Sequence, residues 1–215
     1  MKLSRAFFQK TALQVAPDLL GKIFVHNREG RRISARIVET EAYMGVQDKA
    51  AHSYGGRRTK RTEVMYGPPG LLYVYFIYGM YHCANVVTAD VGVPQAVLIR
   101  AAEPLEGLEE MALNRFQTAY GKLSARQKIQ LTNGPGKLCL AMGIERKANG
   151  EDLCGDSLYL EDDGFTFEAA TDKRIGIGYA EEAADFPYRF YIRDNKYVSV
   201  QPNAIRMAPT ITIKP

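Results

Sequence analysis

The sequence predicts a mixed α/β fold of the α+β kind, a single domain spanning residues 1–215, on three observations. Runs such as "RRISARIVETEAY" alternate apolar and polar residues with the period of a strand. The strands are separated by tight turns in some places and by helical stretches in others, which argues for antiparallel pairing and against a strict βαβ series. With 46% hydrophobic residues over 215 positions the chain can bury one sizeable core, and no linker or internal repeat divides it.

The elements follow in order. A short helix is expected from Gln14 to Leu20, with Pro17 and Asp18 in its first turn and Gly21 ending it. A strand from Lys22 to His26, a turn at "NREG" and the long strand from Arg31 to Tyr43 come next. Residues 45–70, rich in Gly and Pro, read as a long functional loop. "LLYVYFIYGMYHCANVVTA" predicts a hairpin with its tip near Tyr78, Gly79 and Met80, followed by the strand "QAVLIRAA" and a helix over Leu105 to Tyr120. Pro135 opens another helix through Met142. Short strands are expected at "SLYLE", "RIGIGYA" and "YRFYIR", joined by turns such as "DDG" and "RDN".

Composition narrows the function. No apolar run is long enough to cross a membrane, and Arg5 and Lys10 interrupt the apolar positions at the start, so a cytoplasmic protein without membrane contact is expected. Cys83, Cys139 and Cys154 are an odd number without a paired motif, indicating neither a disulfide framework nor a cysteine zinc site. The three histidines, 26, 52 and 82, have no metal-ligand spacing, so no metal is expected. "YGPPG" and "NGPGK" lack the spacing of a nucleotide-binding loop, and no cofactor is implied. The formal charge of +4 is mild, but "GGRRTKRTEV" concentrates Arg57, Arg58, Lys60 and Arg61 and points toward a polyanion.

The strand from Arg31 to Tyr43 poses a chemical question. Alternation puts Ile33, Ala35 and Ile37 on an inward row, and Glu39, Glu41 and Tyr43 continue it. A strand glutamate is ordinarily a solvated edge residue, and a bulge would throw these outward. The other reading is a carboxylate lining a pocket with a poised pKa. Alternation alone does not choose between Glu39 and Glu41.

Taken together, "GRRISARIVETEAYMGVQDKAAHSYGGRRTKRTEVMYGPPGLLYVYFIYGMYHCANVV", "AVLIRAAEPLEG", "NGPGKLCLAMGI", "RIGIGYA" and "YRFYIRDNKYVSV" resemble the 3-methyladenine DNA glycosylases of the alkyladenine type. The ordered blocks run from about Leu13 to Val200. The resemblance implies a curved antiparallel sheet with surrounding helices and a protruding hairpin that grips duplex DNA, working as a monomer. It also implies excision of alkylated or deaminated purines flipped from the duplex. Within it, Glu41 matches the water-activating carboxylate, and Tyr43, His52 and Tyr75 match the residues that hold the flipped base. Tyr78 matches the wedge inserted into DNA, and Asn85 and Arg100 match pocket residues. Tyr66 stands where the family usually has Phe, and Gly136 where it often has Ser.

The chemistry fits those residue types. A carboxylate orients and deprotonates water while its charge favours a cationic sugar, and Arg100 can orient Glu41 or its water. Glu39 is expected as polar support, because two equivalent carboxylates side by side repel and couple their titrations. Aromatic rings stack on a planar base and add about 0.5 to 2 kcal/mol of cation–π attraction for a cationic purine. An aromatic residue at a hairpin end fills the gap left by an extruded base. Phosphates are expected at the basic run and at the backbone amides around Gly136 and Lys137, where a helix starts. The expected partner is therefore duplex DNA containing damaged purines. The rivals are a non-catalytic damaged-DNA binder and an RNA-directed nucleoside hydrolase.

Overall fold

The computed structural model describes residues 1–201 and the backbone of 210–211; the predicted domain's remaining residues lie outside the described ones. Among the described residues the α-helices are, in chain order, α1 (Arg5–Phe8), α2 (Ala12–Asp18), α3 (Leu108–Phe116), α4 (Ala125–Ile129) and α5 (Pro135–Met142). The strands are β1 (Ile23–Arg28), β2 (Arg31–Tyr43), β3 (Leu72–Ile77), β4 (Tyr81–Thr88), β5 (Gln95–Glu106), β6 (Leu158–Glu161), β7 (Ala169–Asp172), β8 (Arg189–Ile192) and β9 (Thr210–Ile211). All pair antiparallel in one curled sheet, in the order β3-β4-β5-β2-β8-β7-β9, with β1 and β6 on a branch. The mixed α/β fold expected from the sequence is the fold observed.

The branch is what positions the site. One edge of β2 pairs with β5 along nearly its whole length, while the other pairs first with β1, up to Arg36, and then with β8 from Glu39 to Glu41. At the changeover the register slips: Ile37 pairs with Ala102 and Glu39 with Ala101, so Val38 is an extra residue in β2. A strand with one inserted residue reverses the facing of everything after it. Ile37 and Val38 accordingly enter the main apolar cluster, whereas Glu39 and Glu41 leave it. The inward row expected from alternation is therefore broken at Val38. Ser34 and Arg36, expected on an outward face, are buried as well, because β2 lies centrally and is covered on both sides.

Helix α2 starts earlier than Gln14, because Thr11 and Gln14 form a reciprocal capping box and set the first turn there. Its Ala16 carbonyl accepts the Thr40 hydroxyl at 2.8 Å, tying it to β2. Helix α3 is shorter than the span from Leu105 to Tyr120, since β5 runs on through Glu106 and the left-handed Gly107 and Gln117 bound the helix. Helix α5 begins at Pro135 as expected. Phe8, Leu19, Phe24, Ile37, Ile99 and Leu138 belong to the continuous core behind the sheet, each side chain contributing about 1.5–3 kcal/mol of burial. The "RIGIGYA" segment is a loop, not a strand: β7 ends at Asp172, and the next backbone amides turn toward β2.

Candidate active site

Glu41 is fully buried. Its Oε1 accepts the Ile175 amide at 2.8 Å and lies 3.4 Å from Arg100 Nη1, while its Oε2 accepts the Tyr43 hydroxyl at 2.8 Å. Burial pushes the carboxyl up from its ordinary pKa; Arg100, the Ile175 amide and the Tyr43 hydroxyl pull it back, and nearby Glu39 adds to the rise. A carboxylate offers about four lone-pair directions, so these contacts do not exhaust its capacity as an acceptor. Tyr43 is itself held well above its ordinary pKa, first by burial and then by the Glu41 charge, and stays a donor.

Glu39 is buried too, but its oxygens are committed elsewhere. Arg189 Nη1 donates to Oε1 at 2.8 Å and the Ser199 amide to Oε2 at 2.7 Å. Arg100 sits between the two glutamates: its Nε is 3.6 Å from Glu39 and donates to Ser199 Oγ at 3.2 Å. The slip between Glu39 and Thr40 against β5 makes Arg100 the unpaired residue there and lets its head lie between both carboxylates.

In front of this cluster lies a cavity of about 500 Å³, in the size range of small-molecule sites. Tyr43, His52, Tyr75, Asn85 and Arg100, all singled out in the sequence, line it. The His52 ring meets Tyr75 edge-on with centroids 4.6 Å apart, and its Nδ1 is 2.9 Å from the Tyr73 hydroxyl. Arg61 Nη2 donates to His52 Nε2 at 3.3 Å. Because a guanidinium cannot accept, Nε2 is the unprotonated nitrogen and Nδ1 carries the proton. Burial, with Arg61 and Arg57 adding to it, pushes the His52 pKa down to about 4. His52 is therefore neutral at physiological pH. The Asn85 amide nitrogen is spent on the Tyr73 and Cys83 carbonyls at 3.0 and 3.4 Å, leaving its carbonyl oxygen to offer the cavity.

At the hairpin tip Tyr78 is 80% exposed and adopts a left-handed backbone (φ 53°), followed by Gly79 (φ 67°). Gly136 and Lys137 line the cavity at the start of α5. A side chain at Gly136 would meet Tyr81 Cβ at 2.9 Å, which explains the absence of Ser there. The basic run divides: Arg58 is bonded to Glu63 at 2.9 and 2.6 Å, and Arg61, itself exposed, lies against the His52 and Tyr75 rings. Arg57 and Lys60 are exposed and have no ion-pair partner among the described residues. Tyr66 behaves as the Phe it replaces, since its hydroxyl is buried without a hydrogen bond.

Sequence reasoning missed the far wall, formed by Ile175, Gly176, Ile177 and Tyr179. Behind it Arg174 is fully buried, bonded to Asp48 Oδ1 at 2.9 Å and to the Ala42 and Ala183 carbonyls, with its guanidinium 4.8 Å from the Tyr43 ring centroid. This clamp joins the 45–70 loop to the wall. An Asp and an Arg separated by 126 positions carry no local sequence signal.

Residues 6–196 match the family model described as Methylpurine-DNA glycosylase (MPG). A protein of Desulfitobacterium hafniense named "Putative 3-methyladenine DNA glycosylase" is 59% identical over 93% of this chain and 99% of its own length. Proteins of the same name from Alkaliphilus oremlandii and Clostridium acetobutylicum are 56% and 55% identical, over 93% of this chain and 99% and 98% of theirs.

Proposed function

Because the chain belongs to the methylpurine-DNA glycosylase family and is a DNA glycosylase of DNA repair, we propose that its cavity receives one altered purine flipped from duplex DNA. Glu41 activates the water that cleaves the N-glycosidic bond. The observation that carries this reading is the buried Glu41, bonded to Tyr43 and Ile175, in contact with Arg100, directly behind a cavity walled by aromatic rings.

The reaction needs a nucleophilic water, stabilisation of an oxocarbenium-like sugar and a base able to leave. Glu41 orients the water on its remaining lone pair and takes its proton, while its charge favours the developing cation. Arg100 keeps the carboxylate aimed and favours its ionised form against the desolvation that burial imposes. Glu39, saturated by Arg189 and Ser199, anchors the segment around Ser199 and holds Arg100 from the other side. Tyr43, His52 and Tyr75 stack on and orient the flipped base, and the Asn85 carbonyl oxygen faces its edge. A purine alkylated at N3 or N7 departs as a neutral base without an acid. A neutral lesion such as hypoxanthine needs a proton from elsewhere, since neutral His52 is no acid at physiological pH.

Tyr78 enters the duplex where the base has left. Its ring, 80% exposed at the end of the hairpin, is free to fill the gap in the stack, which supports this role. Arg57 and Lys60, with Arg58 and the amides at Gly136 and Lys137, meet phosphates without reading sequence. The enzyme works as a cytoplasmic monomer on this reading.

The test is base release from otherwise identical duplexes containing 3-methyladenine, 7-methylguanine, hypoxanthine or ethenoadenine, resolving free base from strand cleavage. Free base with an intact, alkali-labile strand is expected. Direct strand cleavage without added alkali, or no release from any lesion, contradicts the reading.

A further inference from the structure

Two guanidinium groups already lie on the rings proposed to hold the base. Arg174 is 4.8 Å from the centroid of Tyr43, but its charge is neutralised by Asp48. Arg61 is 5.0 Å from the centroid of Tyr75, and its hydrogen bond goes to His52, a neutral ring. Arg61 has no carboxylate partner among the described residues. Deeper in the site Glu39, Glu41 and Asp172 face Arg100 and Arg189, so each of these arginines has a carboxylate partner. Lys137, which lines the cavity as Arg100 does, is turned to Asn133 Oδ1 at 2.9 Å. Of the two guanidinium groups lying on the cavity's rings, Arg61 is therefore the one without a carboxylate partner among the described residues.

Resting on the reading that the cavity takes a flipped purine, we propose that Arg61 is a specificity-determining residue that sets the charge selectivity of the cavity. Its guanidinium uses part of the Tyr75 π surface and repels a purine with a fixed positive charge, so neutral altered purines are held comparatively better. The physical reason is direct. A ring quadrupole attracts one cation strongly, and a second cation nearby meets both a partly used ring and the first charge. The chemistry tolerates this bias, because a cationic lesion leaves readily and needs less help from binding. Arg61 also fixes which His52 nitrogen carries the proton and, with the Tyr73 hydroxyl on the other, occupies both ring nitrogens. A phosphate contact alone would require neither contact.

The experiment isolates binding from chemistry. In an E41Q background, equilibrium affinities are measured for three duplexes differing at one nucleotide: cationic 7-methylguanine, neutral ethenoadenine and undamaged guanine. E41Q is compared with E41Q/R61A and E41Q/R61K. R61A is expected to shift the preference for the cationic over the neutral lesion upward by roughly three- to tenfold, the range for unit charges some ångströms apart at a wet surface. R61K keeps the charge and is expected to hold the parental ratio. Equal weakening of all three duplexes by R61A, or a shift by R61K as large as that by R61A, would overturn the proposal and leave Arg61 a phosphate contact or a shape element. Failure of the wild-type protein to release base is read separately and would strike the function itself.

Discussion

The fold opposes a charge on Glu41, and this gives the residue-scale predictions their sign. Its carboxyl pKa is raised above 4.5 in the folded protein, so the folded state holds that proton more tightly than the unfolded chain does. The stability linked to the proton is fully present below the unfolded pKa and is lost as pH rises through the folded one. E41Q resembles the protonated form. It is expected to cut single-turnover base release by about 100-fold or more while melting above the parent at pH 8 and close to it near pH 4.5. E39Q, which breaks the bonds to Arg189 and Ser199, is expected to melt lower and to keep appreciable release. Near-parental release by E41Q with a folded, inactive E39Q would reverse the two roles. His52 has the opposite linkage: its pKa falls from 6.5 to about 4, so its contribution is present above 6.5 and is lost as pH falls toward 4. Histidine ring NMR should give a midpoint near 4, and one near 6.5 would contradict the burial and the cationic neighbours that hold the ring neutral. The pairing of Glu41 with Tyr43, His52 and Arg100 was legible because the blocks around them are distinctive. The choice of Glu41 over Glu39 came from the resemblance and not from strand alternation, since the bonds that occupy Glu39 come from Ser199 and Arg189 far along the chain.

At the scale of elements, β2, β5, α5 and the hairpin were legible from strand periodicity and from Pro and Gly at their ends. The bulge at Val38 was not, because its residue type fits a regular strand equally well. "RIGIGYA" misled for a related reason. Ile175 and Ile177 alternate with glycines as a strand would, yet the Ile175 amide is spent on Glu41 and Ile177 packs with Ala50, Ala180 and Ala183. The wall so formed depends on the buried Arg174–Asp48 clamp. D48A leaves a guanidinium buried without its counter-charge and is expected to cost about 3–5 kcal/mol in denaturant unfolding. A loss below about 1 kcal/mol, the range of exposed pairs, would mean the clamp opens to water. The hairpin tip gives the contrary trade. Y78G relieves the left-handed strain, so it should melt no lower than the parent while losing the aromatic wedge. A fluorescent base analogue beside the lesion reports flipping, and equal flipping by Y78G and parent would assign Tyr78 to the hairpin alone.

For the whole molecule, a formal charge of +4 is too small to organise DNA binding by itself, so the distribution of the exposed cations decides it. The sequence presents Arg57, Arg58, Lys60 and Arg61 as one basic run, but the fold gives them different surroundings. Arg58 lies 4.7 Å from the Tyr66 ring centroid and is held by Glu63, Arg61 lies against the His52 and Tyr75 rings, and Arg57 and Lys60 extend into solvent. Affinity for undamaged duplex should therefore fall with salt, with each phosphate contact adding about 0.9 to the log–log slope. R57A/K60A is expected to lower that slope by about 1.8, with all duplexes weakened alike. R58A should move it less, because Arg58 must first leave Glu63 and removal of the arginine also frees that carboxylate. Titrations of a fluorescent duplex at several salt concentrations measure all three slopes. If R57A/K60A left the slope unchanged, the phosphate footprint would have to lie on the other side of the cavity. There Lys137 and the first amides of α5 stand beside Tyr81 at the base of the hairpin, and K137A would then have to lower the slope instead.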